Sequence, residues 1–148
     1  MNKKINRGDI ICFYPAKWYQ KIIAYFDGKY CHTGIYLGDD LILSMVFSGL
    51  RIENLSERYK NNEFDIYEID ISKYKKEKLI SFLLSLIPIV KYDFLGLFNF
   101  LFKWITNNPR KFFCSEIIAY GLFYIGLLPE RLNLSITQLI NQEFICKK

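Results

Sequence analysis

Histidine is almost missing from this chain: His32 is the only one among 148 residues. One imidazole gives no set of histidine ligands from which to build a zinc site, and it leaves one choice for a base that titrates near neutral pH. Cysteine is scarce as well. The four thiols, Cys12, Cys31, Cys114 and Cys146, fall at no close metal-type spacing, which argues against a metal cluster. No metal and no cofactor are therefore expected. Long apolar runs are missing too. Residues 79–90 are broken by Pro88 and stopped by Lys91 and Asp93, and residues 117–128 are also short of the roughly 20 needed to cross a bilayer. At the N-terminus Lys3, Lys4 and Arg7 are followed by Asp9, and the apolar stretch at 10–13 is too short for a signal peptide. The expected compartment is thus reducing and cytoplasmic, with no transmembrane segment. Repeats, low-complexity tracts and linkers are absent, so one domain spanning 1–148 is expected. The net charge of +5 is spread through the chain in short runs. No basic helix or stacking motif points to nucleic acid, and what remains is a weak attraction to anionic membrane or cell-wall polymers.

Apolar and aromatic residues are abundant. The chain is 51% hydrophobic and 18% aromatic, with 13 Phe and 11 Tyr, enough to bury about two-thirds of its unfolded surface around one core. A strand is expected from Gly8 through Tyr14, closed by Pro15. Residues 17–26 read as a short helix with Trp18, Ile22 and Tyr25 or Phe26 on one face, and Asp27-Gly28 turns into a second strand. Gly38-Asp39-Asp40 makes a hairpin into residues 41–47, and Ser48-Gly49 another into 50–53. The alternation of Phe64-Asp65-Ile66-Tyr67-Glu68-Ile69 marks a half-buried strand. Asp70 or Ser72 caps a helix over 73–86 that Pro88 ends, and Asp93 caps another reaching Trp104. A last short helical turn, capped by Ser135, covers 136–140.

Two residues carry candidate chemistry. Cys114, with Ile117, Ile118, Gly121, Leu122 and Ile125 following at the spacing of one helical face, opens an apolar helix after the breaker-rich Asn107-Asn108-Pro109-Arg110-Lys111. Unpaired backbone N–H groups and the positive end of the helix dipole favour thiolate there, which turns a weak acid into a nucleophile. His32, in Cys31-His32-Thr33-Gly34-Ile35-Tyr36-Leu37-Gly38-Asp39-Asp40, sits on a strand entering a hairpin and is the base such a thiol needs. Glu116 suits the start of the helix electrostatically and reads as structural, Asp9 and Asp93 as turn or cap residues. Gly34 is placed for close backbone approach.

Gly8-Asp9-Ile10-Ile11-Cys12-Phe13, His32-Thr33-Gly34-Ile35-Tyr36-Leu37-Gly38-Asp39, Tyr92-Asp93-Phe94-Leu95-Gly96 and Phe113-Cys114-Ser115-Glu116 together resemble the circularly permuted papain-like cysteine hydrolases. That family contains the NlpC-type permuted amidases and, more distantly, the lecithin:retinol acyltransferases. In its permuted members the histidine precedes the cysteine, as here, and the resemblance spans roughly residues 8 to 140. It implies an α+β fold, an antiparallel sheet or partial barrel packed against helices, with the cysteine at a helix N-terminus and the histidine on a strand.

The resemblance also implies a mechanism. Cys114 thiolate attacks a carbonyl, His32 relays the proton, and an acyl-thioester forms and is released. A third polar residue, commonly Glu or His in the family, orients the imidazole from the next strand, and that place falls on Ser44, which carries no charge to stabilise an imidazolium. An oxyanion hole would use the Cys114 backbone N–H, with Tyr14 as a candidate side-chain donor. Three readings follow: a cysteine amidohydrolase or peptidase on a peptide-like or N-acyl amide; a lipid acyltransferase, thioesterase or phospholipase; and a catalytically weak or inactive binding module.

Overall fold

The computed structural model describes residues 4–46, 48–92, 113–130 and 134–148. The helix expected over 93–104 and the loop at 107–111 lie outside them. The architecture is α+β. Strands β1 (Ile10–Phe13), β2 (His32–Gly38), β3 (Leu41–Val46), β4 (Gly49–Asn54), β5 (Phe64–Ile69) and β6 (Ile145–Lys147) form one sheet in the order β4-β3-β2-β1-β5-β6. Every neighbouring pair is antiparallel. The sheet is open, with β4 and β6 at its edges, and does not close toward a barrel. Helices α1 (Trp18–Asp27), α2 (Leu55–Arg58), α3 (Lys73–Tyr92), α4 (Phe113–Tyr124) and α5 (Ile136–Ile140) complete the described chain.

Both faces of the sheet are apolar, and each buries its own cluster. On one side Ile10, Cys12, Ile35, Leu37, Leu43 and Met45 pack against Leu79 and Leu83 of α3, Ile118 and Leu122 of α4, and Ile136 and Leu139 of α5. On the other, Ile11, Phe13 and Ile42 pack with Ala24 of α1 and Leu55 of α2. This explains why β1 shows no polar alternation: as an interior strand it is covered on both sides, and its four residues are all fully buried.

Local chemistry sets the boundaries. The Gln20 side chain accepts the backbone N–H groups of Ala16 and Lys17, opening α1, and Gly28 closes it with a φ of 104°. Asp39 and Asp40 both adopt left-handed φ, 51° and 61°, the geometry of a tight two-residue hairpin between β2 and β3. Asp40 is held there by Ser56, whose N–H and hydroxyl both donate to its carboxylate. Ser135 caps α5, as the sequence suggests, and Gln138 reciprocates by accepting from the Ser135 N–H.

Three features depart from the sequence reading. Helix α3 does not stop before Pro88 but runs through it to Tyr92. Pro88 lies on the exposed side, where the lost backbone bond faces solvent, while Leu83, Leu84, Leu86 and Ile87 keep their packing. A short helix that the sequence reading did not include, α2, follows β4, capped by the Asn54 side chain accepting from Glu57 N–H. Strand β6 has only three residues, too few for a period to register.

Candidate functional site

Strand alternation assigns the faces. On β2, Ile35 and Leu37 point to the side of α3 and α4, and Thr33 goes with them, its hydroxyl 3.5 Å from Cys12 Sγ. His32, Gly34 and Tyr36 therefore point to the opposite side. His32 accordingly lies against Phe13 and Tyr59, with ring centroids 5.8 and 5.7 Å away and planes within 25° and 17° of parallel. The Cys114 side chain, only 6% exposed in the first turn of α4, is part of the helix-side cluster with Ile10, Cys12 and Ile35. The sheet thus stands between the expected nucleophile and the expected base, and the structure does not bring them together.

The state of the imidazole agrees with that placement. Its Nε2 is enclosed and has no hydrogen-bond partner among the described residues. Burial pushes the pKa of His32 down to about 4, with the Glu53 carboxylate pulling up and the Arg58 guanidinium down. At neutral pH the ring is an uncharged group in an aromatic setting. The neighbouring thiol on this face, Cys31, is pushed up to about 11 by burial, and its Sγ lies 3.5 Å from the Phe13 carbonyl oxygen. It is an inert core group, not a substitute nucleophile.

Ser44 is on the His32 face but does not orient the imidazole. Its register partner on β2 is Gly34, two residues along from His32, too far for so short a side chain. The Ser44 hydroxyl instead donates to Glu53 Oε2 at 3.3 Å and lies 3.3 Å from the Tyr59 hydroxyl, which itself donates to Glu53 at 2.9 Å. Glu53 also pairs with Arg58 at 3.2 Å. Sequence reasoning missed Glu53 and Tyr59. Glu53 stands on β4 two residues beyond the register partner of Ser44, Arg51, and so on the same face; that alternation was the available signal. The carboxylate that Ser44 lacks is therefore supplied one strand over. Burial raises the Tyr59 pKa, so its hydroxyl stays protonated as a donor.

The Tyr14 hydroxyl is also engaged within the fold. It donates to Asp65 Oδ2 at 2.9 Å, because Asp65 opposes Cys12 on the helix side and Tyr14 is the next β1-side residue with that orientation. Asp65 is a hub that also accepts from Tyr30, from Lys29 at 3.2 Å and from Lys147 at 2.6 Å. Burial opposes its charge, but these donors, Lys147 and Tyr30 foremost, hold its carboxyl well below the usual range. Glu116 sits in the first turn of α4, near the positive end of the helix dipole. Gly34 does permit close approach: a Cβ there would lie 2.8 Å from both Ile42 Cδ1 and the Leu43 carbonyl oxygen.

Among the described residues no group of three or more His, Cys, Asp or Glu side chains could hold a metal ion, and no helix is long and apolar enough to cross a membrane. No protein-family model matches the chain, and no curated protein matches it.

Proposed function

We propose that this chain is a single permuted papain-like domain of the NlpC type that works as a binding module for a peptide-like or acyl ligand, with the hydrolytic chemistry of that group weak or lost. The observation that carries this reading is the placement of Cys114 and His32 on opposite faces of the sheet. Nucleophilic catalysis requires thiol and base within hydrogen-bond reach, and a β-sheet does not rearrange to let one through. Support for a ligand on the His32 face comes from the enclosed, unpartnered Nε2 beside the Ser44–Tyr59–Glu53 network. A reducing, cytoplasmic location goes with this reading, since the cysteine spacing suggests no disulfide framework.

The alternative is a cysteine amidohydrolase or peptidase acting through an acyl-thioester, or the lipid acyltransferase, thioesterase or phospholipase variant of the same chemistry. One observation favours it: Cys114 occupies the first turn of α4, where the helix dipole favours thiolate. Thiol labelling at mildly acidic pH separates the readings. As a binding module, the protein should be alkylated first at exposed Cys146, with buried Cys12, Cys31 and Cys114 slow, and His32→Ala should leave that order unchanged. Labelling of Cys114 ahead of the others, abolished in His32→Ala, would restore the hydrolase, and turnover of amide against ester substrates would then decide its branch.

A further inference from the structure

Helix α1 covers the His32 face of the sheet through Ala24, and its outer side is unusual. Trp18 and Tyr25 are 75% and 82% exposed. Tryptophan is highly buried on average in folded proteins, yet a Trp and a Tyr are both largely exposed on this ten-residue helix. Seven residues apart, they lie within about 20° of one another around the axis and about 10 Å along it. Both can therefore meet one flat surface at the same depth. Lys21 stands between them, exposed and without an ion pair among the described residues, and exposed Lys17 precedes them. Amphipathic aromatic rings flanked by lysines are the side-chain set that settles at the headgroup level of a bilayer, the rings at the acyl boundary and the ammonium groups among lipid phosphates. The chain's net charge of +5 adds a long-range attraction of the same sign.

We propose that the outer side of α1, through Trp18, Lys21 and Tyr25, docks the protein on an anionic lipid bilayer, with the helix lying in the plane of the interface. The occupant is a membrane surface and not a protein or a soluble polyanion. Two aromatic rings at matched height fit a planar apolar boundary, and the lysines complement its negative charge. The contact is peripheral and reversible, since ten residues bury little apolar area.

The test uses the full chain with vesicles of phosphatidylcholine alone and of phosphatidylcholine containing about a quarter phosphatidylglycerol. Co-sedimentation should occur with the anionic vesicles, fall with salt and be near background with the neutral ones. Lys21→Glu should lower the partition coefficient by more than the roughly fivefold expected for losing one lysine. Trp18→Ala combined with Tyr25→Ala should lower it by at least tenfold. In a Trp104→Phe background the remaining Trp18 emission should shift to the blue on anionic vesicles only. Where Trp104→Phe does not fold, quenching of the wild-type emission by bromolipid takes its place. Undiminished binding by the double aromatic variant, binding without a blue shift or bromolipid quenching, or no binding to anionic vesicles would each overturn the proposal. Equal binding to soluble heparin that survives the aromatic substitutions would do so as well, by showing adsorption driven by charge alone.

Discussion

A single histidine gives the molecule a single imidazole signal, and its neighbours make that signal informative. Glu53 favours the imidazolium and Arg58 opposes it, while burial dominates both. NMR titration of the ring should give a midpoint near 4 in the wild type. Glu53→Gln should move it lower and Arg58→Ala higher; shifts in the same direction, or a wild-type midpoint near the ordinary value of about 6.5, would mean that the ring is solvated. A second residue-scale device is the Asp9–Lys148 pair. Asp9 is fully buried, and its Oδ2 accepts from the Asn6 N–H at 2.8 Å and from Lys148 Nζ at 2.7 Å. Breaking a buried ion pair from one side strands the other charge. Lys148→Met should therefore destabilise by roughly 3 kcal/mol in urea unfolding, and adding Asp9→Asn should recover much of it. Additive losses in the double variant would mean the two groups act independently.

Among the elements, the contact between α3 and α4 depends on an absent side chain. A Cβ on Gly121 would fall 2.5 Å from Leu79 Cδ1 and 3.0 Å from Leu83 Cδ2. Gly121→Ala gains about 1 kcal/mol of helix propensity but pushes two buried leucines, and overpacking of a close-packed interior costs about 1–3 kcal/mol. The variant should melt lower, by about 2–4 °C for each net kcal/mol lost. Pairing it with Leu79→Val should return part of the loss. A higher melting temperature for Gly121→Ala alone would show that the helices separate freely.

Across the whole molecule, the buried neutral histidine couples stability to pH. Its folded pKa of about 4 lies below the unfolded value of about 6.5. Between those values the unfolded chain binds the proton and the folded chain does not, so stability rises with pH. The contribution is fully present above about 6.5 and is lost progressively as pH falls toward 4. For a shift of this size it amounts to about 3 kcal/mol. Thermal melts between pH 7 and 4 should show this slope in the wild type and a shallower one in His32→Phe, which keeps the ring stack without the titration. Parallel curves for the two proteins would assign the acid sensitivity to carboxylates instead. Asp65, Glu68 and Glu77, whose folded pKa values are lowered by their cationic partners, lose their contribution only at more acid pH.

The sequence by itself determined the strands around His32 and Asp65, the turn at Asp39-Asp40, the Ser135 cap and the close approach at Gly34. Each follows from an alternation, a turn residue or a cap read within about ten residues of chain. On β2, side-chain alternation puts His32, Gly34 and Tyr36 on one face and Ile35 and Leu37 on the other. Only the tertiary structure decided which of those faces the cysteine helix covers. Both faces of β1 and β2 are apolar, so either could have received α4, and α4 arrives from some eighty residues further along the chain. Its apolar side, fitted through Gly121 onto Leu79 and Leu83, docks with α3 on the Ile35 face and carries Cys114 away from His32. The same long-range pairing brings Glu53 beside Ser44, gathers Tyr14, Tyr30, Lys29 and Lys147 on Asp65, and seats Lys148 on Asp9. Local pattern fixes what each segment is; which face meets which is settled by packing energy summed over the whole core.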